Sequence, residues 1–232
     1  MTSDTFTPNL APVMALRVAR LPALLATLLL LGASGRVDEA RLASPPRSPR
    51  FLPPTSGVLL AEDFSAAPLA RLWRPDREGV WSISHGMLRA DLPDVKQLRS
   101  LIRAGDSTWT DYAVDLDVCM MRGVDKGVIV RVEGESGIGV DLRSGSYQDV
   151  VVYLREWPMG KAQATNANGA WNHLRVEIRG NRLRVSVDGE LRLQREDVRK
   201  ARPRGGIALP AYAGGVGQCT VYYDNVIVTR LD

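Results

Sequence analysis

Residues 112–119 read YAVDLDVC and carry the most regular pattern in the chain. Large apolar or aromatic side chains occupy Tyr112, Val114, Leu116 and Val118, and small or acidic residues fill the positions between them. An alternation with a period of two residues is typical of a β-strand that turns one face to a core and the other to solvent or a loop. The stretch therefore predicts a strand in a sheet that is covered on one side.

Short segments of the same kind run from Val58 to the end of the chain. Turn-forming pairs such as His85-Gly86 separate them, and no segment keeps a helical period. The other predicted strands are Val58–Phe64, Val80–Ser84, Met87–Asp91, Leu98–Ala104, Gly127–Glu133, Ile138–Arg143, Val150–Arg155, Trp171–Arg179, Leu183–Asp188, Glu190–Gln194, Gly206–Ala211 and Thr220–Val228. The pattern predicts one all-β domain over residues 57–232, an antiparallel sandwich of two sheets.

The chain begins with the pattern of a secretory signal peptide, which we place at residues 1–35. Leu21–Ala33 carries no charge and would span about 20 Å as a helix, which is shorter than the roughly 30 Å core of a bilayer. Arginines precede this segment and small residues follow it, whether translation starts at Met1 or at Met14. We therefore expect export to the periplasm, the cell surface or the exterior, with membrane contact only through an uncleaved signal segment.

A proline-rich segment, residues 36–56, follows the predicted signal peptide. Its prolines remove backbone donors and disfavour helix at the residues before them. This composition is typical of an extended, disordered linker.

The composition limits the possible partners and cofactors. Among 232 residues, 30 Lys and Arg stand against 26 Asp and Glu, and the net charge of +4 is spread along the sequence. That distribution does not favour nucleic acid as a partner. Two histidines and two cysteines are too few for an ordinary His/Cys zinc cluster, and no motif requires a cofactor.

The two cysteines, Cys119 and Cys219, both fall on predicted strands. An even number of cysteines in an exported chain indicates a disulfide, provided that the two strands are neighbours in one sheet. Two buried, unpaired thiols are the alternative.

Side chains at alternate positions of a strand point to the same face, and on neighbouring strands this rule brings polar side chains to one face of the sheet. With Val128, Val130 and Val132 in the core, Arg131 would point to the opposite face. The expected ligand-binding residues on that face are Arg131, Asp141, Arg143, Tyr153 and Arg155, with Trp157 in a loop that caps the groove. Planar donors, an acceptor and a stacking ring are what the hydroxyls and apolar faces of sugars require. The face therefore predicts a site for a poly- or oligosaccharide, and a merely hydrophilic outer face is the alternative.

Four segments resemble the concanavalin A-like jelly rolls, a group that includes laminin-G domains and glucanases. They are Gly105–Tyr112, Lys126–Arg131, Trp171–Glu190 and Tyr223–Val226. Within that group the chain is similar to the exported domains labelled as keto-disaccharide hydrolases or as domains of unknown function. The resemblance implies jelly-roll topology with the ligand on the concave face. It also implies a structural Ca²⁺ at Asp63 and Asp224, on the first and last strands.

The acidic residues do not form the set that a glycan-degrading enzyme of this fold would need. Asp115 and Asp117 alternate on one strand but lack the glutamates of a laminarinase-type motif. Gly139 stands where the resemblance leads us to expect an acid. Residues 143–148 are similar to one strand of the alginate lyases, whose other two motifs are missing. No residue is therefore assigned a catalytic role.

We interpret the chain as an exported carbohydrate-binding module that acts on glycans of the cell envelope or the exterior. A glycan-degrading enzyme, either a glycoside hydrolase or a polysaccharide lyase that uses the same face, is one alternative. A structural or protein-interaction module is the other.

Overall fold

The structure, a computed structural model, describes residues 56–65, 68–134, 136–154, 157–198 and 202–232. The predicted signal peptide with both possible start codons, the linker up to residue 55, and Arg155 lie outside the described residues. The strands are, in chain order, β1 (Val58–Glu62), β2 (Arg74–Pro75), β3 (Trp81–Ser84), β4 (Met87–Leu92), β5 (Arg99–Ala104), β6 (Tyr112–Arg122), β7 (Asp125–Glu133), β8 (Ser136–Arg143), β9 (Asp149–Leu154), β10 (Trp157–Gln163), β11 (Trp171–Arg179), β12 (Arg182–Val187), β13 (Glu190–Arg195), β14 (Gly206–Tyr212) and β15 (Cys219–Arg230). A 3₁₀ turn spans Leu69–Arg71. None of the described residues belongs to a helix with the length and apolar character to cross a membrane.

The strands form two antiparallel sheets, which we call the front sheet and the back sheet. The front sheet has the order β10-β9-β8-β7-β14-β5-β2. The back sheet has the order β13-β12-β11-β6-β15-β4-β3, and β1 pairs with β15 beside this path. The prediction of an all-β, antiparallel sandwich of two sheets is confirmed.

The apolar core lies between the two sheets. On β6, Tyr112, Val114, Leu116 and Val118 point into it and are fully buried, as their alternation predicts. Removing one large apolar side chain of this kind from water contributes about 1.5–3 kcal/mol to folding. The alternate residues of each front-sheet strand point outward, and this outer face carries the candidate site.

The parity predicted for β7 is wrong after Val130, because a β-bulge interrupts the strand. Val130 pairs with Ile207 of β14 and Val132 pairs with Gly206, so Arg131 between them has no partner residue. Arg131 has a φ of 49°, which is uncommon for a residue with a side chain. A bulge shifts every following side chain to the other face. Val132 therefore packs on the outer face, in a small cluster with Ile129, and not in the core.

Arg131 is buried at one end of the sandwich and not displayed on the outer face, with an exposure of only 1%. Its Nε donates to the Thr110 carbonyl at 2.9 Å, and its Nη1 donates to the Gly180 and Arg202 carbonyls at 2.8 and 3.0 Å. Its Nη2 contacts the Asp111 carboxylate at 3.1 Å. The side chain therefore ties three separate loops to β7.

An edge strand, β10, occupies residues that were not predicted as a strand. It pairs only with β9 in the front sheet, and an edge position tolerates Pro158 because one side of the strand needs no ladder bonds. Trp157, expected in a capping loop, is the first residue of β10 and is 78% exposed.

The predicted disulfide is wrong, because Cys119 and Cys219 are free and lie on opposite faces of the back sheet. Cys119 of β6 packs with Met87 and Tyr222 on the outer side. Cys219 of β15 packs into the core between the sheets. Thiols that point away from each other across a sheet cannot reach bonding distance. The structure agrees with the alternative of two buried thiols.

Candidate functional site

A cleft of about 890 Å³ lies on the outer face of the front sheet. Its floor includes Asp141 and Arg143 from β8, Val151 and Tyr153 from β9, and Pro210 and Tyr212 from β14. Each pair is two residues apart on its strand, so both members point to the same face. Three residues predicted for ligand binding, Asp141, Arg143 and Tyr153, are therefore brought together here.

A glycine on β8 makes room for an aromatic ring at the cleft floor. Gly139 is the direct partner of Tyr153 across β8 and β9. A Cβ atom at position 139 would lie 2.3 Å from Cζ of Tyr153, so a side chain there would displace the ring. The ring position allows the Tyr153 hydroxyl to hydrogen-bond with Asp141. The glycine found where an acid was expected thus accommodates a tyrosine.

Asp141 is a buried carboxyl group at the cleft floor. Burial raises its pKa to about 7, the nearby charge of Asp125 adds to the rise, and the hydrogen bond from Tyr153 opposes it. Its Oδ1 atom has no hydrogen-bond partner among the described residues. A buried carboxyl group with a pKa of about 7 can form a hydrogen bond with a ligand, or transfer a proton to or from it, near neutral pH.

We expect the free energy of unfolding to fall between pH 4 and pH 7 in the wild type but much less in Asp141→Asn. The folded chain keeps the Asp141 proton up to a pKa of about 7, whereas an unfolded aspartate releases it near pH 4. Folding therefore takes up a proton in this window, and stability declines as the pH rises through it, by on the order of 2 kcal/mol. Urea denaturation of both proteins across the window measures the difference. Parallel pH profiles would contradict the prediction.

Arg143 and Tyr147 line one side of the cleft, and Asp149 behind them completes a stack of three side chains. Nε and Nη2 of Arg143 donate to the two carboxylate oxygens of Asp149 at 2.8 and 2.7 Å. The Tyr147 ring lies against the guanidinium, with its centroid 4.2 Å from Cζ of Arg143. Tyr147 is 51% exposed, so the ring face away from Arg143 is open to a ligand. The stack holds an aromatic surface in a fixed orientation.

A glycine-rich turn between β14 and β15 forms another side of the cleft. Gly214 and Gly217 have φ values of 53° and 72°, which favour glycine, and the turn brings the exposed side chain of Val216 to the cleft. At the start of this turn the Tyr212 hydroxyl donates to Oε1 of Gln97.

Three further residues that line the cleft, Arg99, Asp125 and Tyr212, were not predicted. Arg99 and Tyr212 lie on β5 and β14, which are far in sequence from β8 and β9 but share their sheet. Asp125 begins β7 two residues before the predicted start at Gly127. Residues 123–126 read GVDK, and this segment carries no run of alternating apolar residues that would have extended the predicted strand to Asp125.

Residues 64–229 match the family described as the 3-keto-alpha-glucoside-1,2-lyase-like domain. The chain belongs to this family. No curated protein gives a significant match.

Several solved structures are similar in fold to this lyase-like domain. The carbohydrate binding module CBM66 from Bacillus subtilis aligns over 68% of this chain and 97% of its own, with 15% identity and a TM-score of 0.58. A Bacillus subtilis protein of unknown function with a galectin-like fold aligns over 75% and 96%, with 10% identity and a TM-score of 0.59. The exoplasmic/lumenal domain of VIP36 in its Ca²⁺-bound form aligns over 76% and 90%, with 14% identity and a TM-score of 0.56. The fold is the concanavalin A-like jelly roll that the sequence segments predict.

Two predicted site residues of the lyase-like domain, Arg131 and Trp157, lie outside the cleft. Arg131 is buried in its bulge, and the expectation that it faces a ligand is wrong for the reason given above. Trp157 does not line the cleft, although its neighbour Pro158 does. The position of Arg155 is outside the described residues.

The expected calcium ligands, Asp63 and Asp224, form no ligand set with other acids. Oδ1 of Asp63 accepts hydrogen bonds from the Ser65 amide and hydroxyl, and Oδ1 of Asp224 accepts one from the Asn225 amide. Across the described ranges, no group of three or more His, Cys, Asp or Glu side chains is arranged to hold a metal ion. The calcium site at Asp63 and Asp224 therefore stays a prediction.

A second polar cluster lies on the outer face of the back sheet. His173 of β11 sits between two aspartates of β6, with Nδ1 2.9 Å from Asp117 and Nε2 3.2 Å from Asp115. Burial lowers the pKa of His173, but the hydrogen bonds to both carboxylates outweigh burial and raise it. Asp115 also binds Arg175, and Asp117 accepts a hydrogen bond from Asn225. With both ring nitrogens engaged, His173 links strands and is not a free base.

Proposed function

We propose that the cleft of the front sheet binds a carbohydrate, and that the chain is a carbohydrate-binding member of its family. The observation that carries this proposal is the cleft itself, where Asp141 and Tyr153 lie on the floor near the exposed ring of Tyr147. Sugar hydroxyls can donate and accept hydrogen bonds at such polar side chains. The family description names a glucoside, and CBM66 is a carbohydrate binding module.

The other cleft residues suit the two kinds of surface on a sugar ring. The open face of Tyr147 offers an apolar area for the C–H face of a pyranose. Asp141 and Tyr153 offer polar atoms for its hydroxyl edge. The cleft volume of about 890 Å³ lies within the range of small-molecule sites.

We expect the full chain to bind an oligosaccharide on a glycan array, and Tyr147→Ala to weaken that binding roughly tenfold by removing the stacking surface. Calorimetric titration with the glycan found on the array measures the Kd. Leu191→Ala is the matched control, because Leu191 is exposed on β13 of the back sheet and does not line the cleft. Equal affinities of wild type and Tyr147→Ala would contradict the proposal, as would an equal loss in the control.

Proton-transfer catalysis in the same cleft is a second candidate function, favoured by the Asp125–Asp141 pair. Burial raises the pKa of Asp125, and burial and the charge of Asp125 raise that of Asp141 to about 7, a value suited to a general base. In a 1,2-elimination on a 3-keto-glucoside, a base takes the proton from C2, and the C2–H electron pair is held as the enolate of the C3 ketone. That pair forms the C1=C2 bond as the C1–O bond breaks, and the aglycone leaves with the C1–O electron pair and takes a proton from water.

Product analysis in the same incubations separates the two candidates. Elimination would release the aglycone and an unsaturated keto sugar from a 3-keto-α-glucoside, and Asp141→Asn would stop the release. Hydrolysis would instead give a new reducing end without unsaturation. Binding with no released product supports the binding module alone. A chain that neither binds nor converts a glycan would leave protein interaction as its role.

We also propose that the chain is exported. The support is the uncharged segment Leu21–Ala33 with arginines before it and small residues after it. N-terminal sequencing of the protein isolated from its host cells tests this, and an intact N-terminus would contradict it.

A further inference from the structure

Arg99 is a cleft cation that has no acidic partner among the described residues. It lies on β5, opposite Tyr212 of β14, and its side chain lines the cleft. Neither a hydrogen bond nor an ion pair joins its guanidinium to any part of the chain that the structure describes. Arg143, the other arginine of the cleft, is instead held by both oxygens of Asp149.

The guanidinium of Arg99 lies close to the polar floor of the cleft. Burial raises the pKa of both Asp141 and Tyr153, and the positive charge of Arg99 offsets part of each rise. No salt bridge connects Arg99 with Asp141. Arg99 and Asp141 therefore line the same cleft without an ion pair between them.

No acid of the cleft binds the guanidinium of Arg99 in the part of the chain that the structure describes. Asp125 lies directly opposite Arg143 in the register of β7 and β8, and burial raises the pKa of Asp125 while the charge of Arg143 lowers it. Asp141 keeps its proton up to a pKa of about 7 and carries little charge in mildly acidic solution. The charge of Arg99 remains available to an anionic group of a ligand.

We infer that the carbohydrate bound in this cleft is an acidic glycan, and that the carboxylate of a uronic acid binds Arg99. The inference rests on the proposed function. A guanidinium presents parallel N–H donors whose spacing matches the two oxygens of a carboxylate, so this group satisfies Arg99 better than a hydroxyl does. Hydroxyls of the same chain of sugars then reach Asp141.

Matched pairs of oligosaccharides test the inference by calorimetric titration of the full chain at pH 6. The probes are cellohexaose with its C6-oxidised form, and hexagalacturonate with its methyl ester. We expect an acidic member to bind at least about tenfold tighter than its neutral counterpart. Arg99→Gln should remove this preference, and Arg99→Lys should keep part of it because lysine retains the charge but not the planar fork.

Arg179→Gln is the matched control, because Arg179 is an exposed arginine at the end of β11 in the back sheet. It should keep the preference for the acidic member. Neutral members that bind as tightly as acidic ones would overturn the inference and leave the proposed function standing. An unchanged preference in Arg99→Gln would also overturn it. A chain that binds neither acidic nor neutral glycans, on the array or in titration, would overturn both.

Discussion

Arg131→Met is expected to lower the free energy of unfolding by about 3–5 kcal/mol, the range for breaking a buried charged contact by removing one partner. The guanidinium is 1% exposed and satisfies the carbonyls of Thr110, Gly180 and Arg202. Methionine fills a similar length of space but donates nothing, so these carbonyls would lose their partner away from water. Loops that lie far apart in sequence would be released together.

Chemical denaturation of the wild type and Arg131→Met measures this loss. Arg122→Met is the control, because Arg122 also binds an aspartate, Asp94, at 2.8 Å, but in an exposed pair. Such surface pairs contribute about 0–1 kcal/mol, so the control should lose little stability. Losses of equal size in the two variants would show that Arg131 has no special role in holding the loops.

Gly139→Ala is expected to destabilise the domain by about 3 kcal/mol and to abolish glycan binding, although it adds a single methyl group. That methyl group would lie 2.3 Å from the Tyr153 ring, which has to leave its place beside Asp141. The loss therefore arises from a clash with one identified side chain and not from the backbone, since Gly139 has no positive φ.

The clash can be tested with a double variant. Gly139→Ala/Tyr153→Ala should lose clearly less stability than the sum of the losses in the two single variants, because the added methyl then meets no ring. Binding should not recover, since the tyrosine is gone. Gly215→Ala is the control for stability, because a Cβ atom at Gly215 meets nothing within 4 Å. An additive double variant would contradict this interpretation.

Side-chain parity predicted the architecture because most strands run without irregularity. On β8 and β9, and on β6 from Tyr112 to Cys119, the alternation is unbroken, so one correct assignment fixes the face of every side chain there. It failed at Arg131, where no glycine or proline marks the bulge. The positive φ there is held by a tertiary contact, a 2.6 Å hydrogen bond from the Arg131 amide to the Tyr112 hydroxyl.

The candidate site was predictable only where its strands are consecutive. Asp141, Arg143 and Tyr153 lie on β8 and β9, which are joined by a short loop and paired in sequence order. Arg99 and Tyr212 reach the same cleft through β5 and β14, whose places in the front sheet depend on long-range pairing. Local sequence carries no signal for that order. The role of Gly139 likewise depends on a ring from another strand.

The separation of the two thiols by the back sheet has a practical consequence. Burial raises the pKa of Cys119 to about 11 and that of Cys219 to about 12, so both stay protonated and unreactive. Nothing in the described domain depends on an oxidant or breaks with a reductant. We expect the domain to fold equally well in reducing and in oxidising surroundings, so cytosolic expression in bacteria, without isomerases or a glutathione buffer, should yield native material.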